Sequence, residues 1–158
     1  LCDLAKGVLA VVICRFVVTN GFGVTFFHDD KFIGYLAGFF VMLGHIFPVF
    51  YGFHGGKGVL IAATTLIAID PLTCAFSVAV FAIVLAATKY VSVGSICAAI
   101  AYPVFTPIVQ LFIIKGDGVL ANTLMATAIG LLIIYMHRPN IKRLMNGTEN
   151  KFGSKKKA

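Results

Sequence analysis

The sequence predicts an all-α protein, a polytopic bundle of membrane-spanning helices. Of its 158 residues, 59% are hydrophobic and 12% charged, and the mean hydropathy is +0.97. A soluble domain of this length needs far more polar surface. The apolar residues also fall into runs near the length of a membrane span, which takes about 20 residues and tolerates about 17 to 25. A single bundle, residues 1–158, accounts for the chain.

The first run, Leu4–Asn20, starts almost at Leu1 with no basic stretch or small-residue cleavage site ahead of it, so it is expected to be a span and not a signal peptide. Opening on Leu rather than Met, the chain reads as the middle of a longer protein. Arg15 lies inside this run. An intramembrane charge is costly, so Arg15 is either a functional group or a side chain that reaches for the nearer interface. Phe32–Phe47 is the second run. Val59–Ile69 is short and meets Leu72–Thr88 at Asp70-Pro71, a dipeptide that ends a helix. Val93–Ile114 and Val119–Met136 complete a set of six expected spans.

Charge favours two spans over 59–88 rather than one bent helix. With six spans, Lys6, Lys57, Lys89 and every Lys and Arg from Arg138 onward share one face, ten of the thirteen cationic residues. The opposite face holds Lys31 and Lys115 beside Asp29, Asp30, Asp70 and Asp117. The positive-inside rule makes the lysine-rich face cytoplasmic. Residues 150–158 are basic and carry no apolar run. They read as a solvated tail whose lysines meet anionic headgroups, at about 1 kcal/mol each.

Three polar stretches lie on the cationic face. In "GHIFPVFYGFHGGKGVL" (Gly44–Leu60), the piece His54–Gly58 immediately precedes the third run. Gly55, Gly56 and Gly58 let a ligand approach the backbone, the helix start offers unpaired N–H groups, and Lys57 adds a full charge. This is an anion site, with phosphate its natural guest. It is not a Walker A loop, because Gly58 stands where Ser or Thr would bind magnesium. The other reading is an interfacial turn whose lysine anchors to lipid phosphates. His45, at the end of the second run, is a candidate contact or a structural hydrogen-bonding residue.

In "HRPNIKRLMNGTEN" (His137–Asn150), Asn140 and Arg143 are neighbours at i, i+3 on a helix and reach one phosphate together. Arg138 and Lys142 supply further donors. A positive-inside stop signal explains the charge but not His137, Asn140 or Glu149. In "TKYVSVGS" (Thr88–Ser95), Ser92 is expected to cap the next helix, or else to join Lys89 and Ser95 in a polar pocket. Cys2, Cys14, Cys74 and Cys97 have no CxxC spacing and read as small apolar residues. No His/Cys/Asp/Glu set has metal-ligand spacing, so neither a metal nor a cofactor is expected.

"GHIFPVFYGFHGGKGV" and "HRPNIKRLMNGTENKF" resemble two signature segments of the PlsY-type bacterial acyl-phosphate:glycerol-3-phosphate acyltransferases. "LCDLAKGVLAVV" and "KYVSVGSI" resemble that family's connecting segments, in the same order. The resemblance implies a seven-span enzyme of the bacterial cell membrane with its site on the cytoplasmic face. It transfers a fatty acyl group from acyl phosphate to glycerol 3-phosphate, giving lysophosphatidate and phosphate in the first acylation of phospholipid synthesis. The six runs match the last six of those spans. The family's first signature, Ser-Gly-Asn…Gly-Ala-Thr-Asn, belongs ahead of Leu1, so the chain is expected to be a fragment or a truncated relative. His54, Leu60-Ile61 and Pro139 depart from the family pattern.

Two phosphorylated substrates account for two anion sites on one face. Gly55–Gly58 and Lys57 are expected to hold the donor phosphate and to stabilise it as it leaves. Arg138, Asn140 and Arg143 are expected to hold the acceptor, with Ser92 and His45 as further contacts. His137 or Glu149 takes the hydroxyl proton, unless the substrate phosphate does. No nucleophile elbow is present, which fits direct transfer. The expected partners are these substrates and the bilayer, with no nucleic acid. The alternatives are a carrier of a phosphorylated metabolite and a non-catalytic relative. The absence of internal repeats and the placing of polar motifs at span ends favour the enzyme.

Overall fold

The computed structural model describes residues 2–24, 29 and 31–153; Asp30 and the tail lysines at 155–157 lie outside them. The apolar runs are helical. Helix α1 (Cys2–Arg15) continues in π-helical turns through Phe16–Gly21, and α2 covers Lys31–Ile46. After a 3₁₀ turn at Val49–Tyr51 come α3 (Val59–Ile69), α4 (Pro71–Thr88) and α5 (Val91–Ile108). A second π-helical stretch, Val109–Ile114, extends α5, and α6 (Val119–Met136) and the short α7 (Arg138–Met145) follow. Among the described residues, four helical stretches are long and apolar enough to cross a membrane: Lys31–Tyr51, Pro71–Thr88, Val91–Ile114 and Val119–Met136. Helix α3 is apolar but shorter.

Local chemistry explains the boundaries. Asp70 is the N-cap of α4, its carboxylate accepting from the Thr73 N–H at 3.3 Å. Pro71 follows at the first helical position, where its missing N–H costs nothing. The expectation that Ser92 caps a helix is overturned. Helix α5 already starts at Val91, with Tyr90 as its N-cap, so Ser92 sits inside the first turn with its side chain buried. A capping side chain must precede the helix it caps.

The exposure pattern is that of a lipid-facing bundle. Leu9, Phe40, Ile83, Leu120 and Leu131 are exposed, while Thr73, Ser77, Thr106, Gln110 and Asn122 are buried. Several hydroxyls inside the bundle are satisfied along their own helices, as when Ser77 and Thr106 donate to the Thr73 and Tyr102 carbonyls at 2.9 Å. Helices α1, α2 and α3 pack together, α4 packs on α5, α5 on α6, and α2 also meets α6. Small residues permit the close approaches. A Cβ on Gly38 would sit 3.1 Å from Thr65 Cβ, and one on Gly34 would sit 2.9 Å from Ile69 Cγ1. Pro103 lacks the N–H that would engage the Ala99 carbonyl, and Gly130 of α6 packs against that carbonyl. Arg15 Nη1 donates to the Ala68 carbonyl at 3.2 Å, in the last turn of α3, where a helix C-terminus favours positive charge.

A buried polar chain ties the bundle at the end away from the lysine-rich loops. Gln110 Nε2 donates to Tyr35 Oη and to Asp70 Oδ2, each at 3.2 Å. Its Oε1 accepts from Asn122 Nδ2 at 3.0 Å, and Asn122 also donates to Asp29 Oδ2 at 2.6 Å. Lys31 Nζ lies 4.0 Å from Asp70 Oδ2 and partly offsets the buried charge. Gln110→Leu strips partners from Asp70, Tyr35 and Asn122, each unsatisfied group costing roughly 1–3 kcal/mol. Thermal unfolding in detergent is expected to show a clearly lowered Tm, and an unchanged Tm would mean the chain of bonds contributes nothing.

Candidate active site

A cavity of about 800 Å³ opens beside the glycine-lysine loop, lined by α3, α4, α5 and α6 and by the loop and tail at one end. Its mouth is polar, with His45, Gly55–Gly58, Ser92, Ser95, His137, Asn140 and Glu149. Its inner part is apolar, with Ala62, Leu66, Val78, Phe81, Ala98 and Tyr102.

The loop is fastened to the end of α2. The Gly55 N–H donates to the Ile46 carbonyl at 3.1 Å and the Gly56 N–H to the His45 carbonyl at 3.3 Å. A side chain at Gly55 would collide with both of those carbonyls. Gly58, the N-cap of α3, has φ +79°, a left-handed conformation that favours glycine. The first turn of α3 therefore lines the mouth with Val59 and Leu60, and its N–H groups have no intrahelical acceptor. The start of α5 lines the same mouth through Val91 and Ser92, and Ser95 follows one turn on. Two helix N-termini and the exposed Lys57 at one opening make a strongly anion-attracting site.

His137 ends α6 and is 3% exposed. Its Nδ1 lies 2.8 Å from the Ile133 carbonyl. A carbonyl can only accept, so Nδ1 carries the proton and Nε2 holds the lone pair of the neutral ring. Burial lowers the imidazole pKa below its usual value. The nearby Lys57 charge adds to this, outweighing the Ile133 hydrogen bond and Glu149.

Glu149 returns to the site from beyond α7. The chain turns at Gly147, with the Thr148 N–H donating to the Arg143 carbonyl at 2.8 Å, and the Phe152 N–H then donates to the Lys89 carbonyl at 2.6 Å. This strap holds Glu149 between Asn140 Nδ2 and Arg143 Nε, each 2.7 Å from a different carboxylate oxygen. Burial alone would raise the Glu149 pKa, but Asn140, Arg143 and the facing Ser92 hydroxyl bring it down to about 2. The Ser92 hydroxyl faces the carboxylate without standard hydrogen-bond geometry. Ser92 Oγ and Asn140 Oδ1 are thus buried polar atoms left without a partner at the mouth.

The structure gathers His45, Gly55, Gly56, Lys57, Gly58, Ser92, His137, Asn140 and Glu149 around one cavity. Arg143 joins through Glu149. Arg138 does not line the cavity; it is exposed and stacks 4.0 Å over the Tyr135 ring. His54 is exposed and donates through Nδ1 to the Gly52 carbonyl at 2.6 Å. Sequence reasoning missed Phe81, Ala98, Tyr102 and Asn150. The first three sit on helical stripes (74, 78, 81 and 91, 95, 98, 102), but such spacing marks a buried face without distinguishing core from cavity. Among the described residues, no group of three or more His, Cys, Asp or Glu is placed to hold a metal ion.

Comparison with known proteins agrees with this geometry. A family model described as glycerol-3-phosphate acyltransferase matches residues 1–147. A glycerol-3-phosphate acyltransferase of Clostridioides difficile (strain 630) is 41% identical over 154 residues, covering 98% of this chain and 69% of that protein. One from Salinibacter ruber (strain DSM 13855 / M31) is 40% identical over 153 residues, covering 96% of this chain and 66% of that protein. Two crystal structures of PlsY (YgiH), an integral membrane glycerol 3-phosphate acyltransferase, superpose on 96% of this chain at 34% identity. The lysophosphatidic acid form has a TM-score of 0.74 and the glycerol 3-phosphate form 0.73, with 69% and 68% of those chains covered. The helical bundle, the phosphate-ready mouth and these likenesses converge: the chain is a multi-pass membrane protein that belongs to the PlsY-type glycerol-3-phosphate acyltransferase family.

Proposed function

We propose that the chain transfers a fatty acyl group from acyl phosphate to the primary hydroxyl of glycerol 3-phosphate, releasing lysophosphatidate and phosphate. The observation that carries this reading is the cavity itself. It joins a mouth formed by two helix N-termini and Lys57 to an apolar compartment, as an amphiphilic phosphate donor requires. The six-span arrangement, with the mouth on the cytoplasmic face of the bacterial cell membrane, belongs to the same proposal and rests on the clustering of lysines and arginines.

In this reading Lys57 and the N–H groups that open α3 hold the donor phosphoryl group and stabilise it as it departs, while the Gly55 and Gly56 amides, bonded to the end of α2, fix the loop beneath it. Ser92, buried beside the Glu149 carboxylate, helps to shape the same opening. Asn140, which lines the opening, helps to place the acceptor. Asn140 and Arg143 are held in place by Glu149, whose low pKa makes it a poor base and a good orienting anion. Arg138, outside the cavity, serves to draw the acceptor dianion toward the mouth. His137 Nε2 takes the proton as the hydroxyl oxygen attacks the acyl carbonyl and the bond from that carbon to the phosphate oxygen breaks. Holding both reactants in one opening lowers the barrier by several kcal/mol on general grounds.

Purified protein supplied with acyl phosphate and glycerol 3-phosphate is expected to form lysophosphatidate and phosphate in equal amounts. Failure to form either, or phosphate release indifferent to glycerol 3-phosphate, would refute the reading.

Because burial depresses the His137 pKa, the ring is neutral at pH 7 and loses its lone pair only below the ordinary histidine value. The kcat/KM is expected to fall as pH drops below that value. In His137→Gln the rate is low and this acid limb disappears, and a limb that persists would assign the base elsewhere. The cavity runs from Ser92 at its mouth to Tyr102 in its apolar part along α5, about 15 Å at 1.5 Å per residue. Ala98→Phe, partway down it, is expected to shift the preferred donor toward shorter acyl chains while activity with the shortest is kept. An unchanged chain-length profile would place the acyl tail elsewhere.

A further inference from the structure

Between α2 and the glycine-lysine loop stands a feature that the reaction does not use. Val49, Phe50, Tyr51 and Phe53 are 68%, 96%, 78% and 61% exposed. They are not on a loose loop. The Tyr51 and Phe53 N–H groups both donate to the Pro48 carbonyl, at 3.1 and 3.0 Å, and the His54 N–H donates to the Tyr51 carbonyl at 3.2 Å. Phe53 has φ +62°, a left-handed conformation that a bulky residue adopts only when its surroundings impose it. The turn thus holds three aromatic rings outward, where a free loop would let them collapse onto the protein.

Its setting identifies the occupant. The turn continues the apolar helix α2, so that Lys31–Tyr51 forms one span-length stretch. It stands on the lysine-rich face with Lys6 and Lys57, and Lys6 Nζ lies 3.5 Å from His45 Nδ1 at the base of the turn. Aromatic rings beside cations at the end of a span match the boundary between headgroups and acyl chains in an anionic leaflet. The base of the turn is also the base of the phosphate loop, through the Gly55 and Gly56 bonds to α2.

We propose that residues 49–53 form an aromatic finger that inserts into the lipid interface and sets the depth of the phosphate loop, where a membrane-dissolved donor presents its own phosphate. The insertion stands independently of the reaction; the consequence for the donor rests on the function proposed above.

The chain contains no tryptophan. Phe50→Trp therefore supplies a single fluorophore at an exposed position, and Tyr51→Trp a second, independent one. Each variant is reconstituted in vesicles of phosphatidylcholine and phosphatidylglycerol carrying bromine at known acyl positions. Strong quenching by bromines near the headgroup and weak quenching by aqueous acrylamide are expected. Quenching by acrylamide with none from bromolipid would overturn the finger. Shielding from both would also overturn it, pointing to a protein contact such as a second copy of the chain. Phe50→Ser with Phe53→Ser is expected to raise the KM for acyl phosphate several-fold and leave that for glycerol 3-phosphate unchanged. Equal effects on both would remove the depth-setting role. Bromolipid quenching in a protein that turns over no acyl phosphate would instead count against the proposed reaction and leave the finger standing.

Discussion

The amide of Gln110 reaches three other elements at once, and the arrangement of the bundle depends on it. It bonds Tyr35 of α2, Asp70 at the start of α4 and Asn122 of α6. In a lipid environment apolar contact between helices gives little driving force, because lipid is as apolar as leucine, so polar bonds and close packing decide which helices meet and in what register. Gln110 points inward because the chain leaves α-helical geometry after Pro107 and takes a π-helical turn from Val109. Tyr35 in turn stacks on Tyr102, ring centroids 6.2 Å apart, and Tyr102 lines the inner cavity. The polar chain at one end of the bundle thereby fixes the wall of the compartment that opens at the other.

At the mouth, fixed backbone does what flexible side chains could do only at an entropic cost. The anion-attracting groups are largely N–H groups at the starts of α3 and α5, positioned before any substrate arrives. The return of the tail after α7 completes the site by bringing Glu149 back over it and tying Phe152 to Lys89. A carboxylate in an anion-attracting mouth is at first sight unfavourable. Its two hydrogen bonds show its use, since it orients Asn140 and Arg143.

Much of this was legible in the sequence, and the reasons are local. Asp70-Pro71 marks a helix junction by its own chemistry, and the glycines ahead of Val59 mark a helix start open to an anion. The HRPNIKRL stretch advertised His137, Asn140 and Arg143 by residue type. Contacts across long separations left no such trace. Tyr35 and Gln110 are 75 residues apart, and Asp29 and Asn122 are 93 apart, and nothing in either neighbourhood names the other. Ser92 misled because its hydroxyl suits a cap, whereas α5 begins one residue earlier and turns it toward the cavity. Arg138 misled because charge alone does not say which side of a helix faces the site, and the Tyr135 ring holds it outside.

The account rests most on direct transfer between two phosphates in one mouth, with no acyl group carried by the protein. The cavity lining nevertheless includes Cys74, Ser77, Ser92 and Ser95, any of which has the atom type to be acylated. The deciding measurement mixes purified protein with acyl phosphate alone and follows phosphate release alongside the intact mass of the chain. Direct transfer predicts no burst of phosphate and an unchanged mass until glycerol 3-phosphate is added. A stoichiometric burst with a mass increase of one acyl group would contradict the account and assign one of those side chains as a covalent carrier.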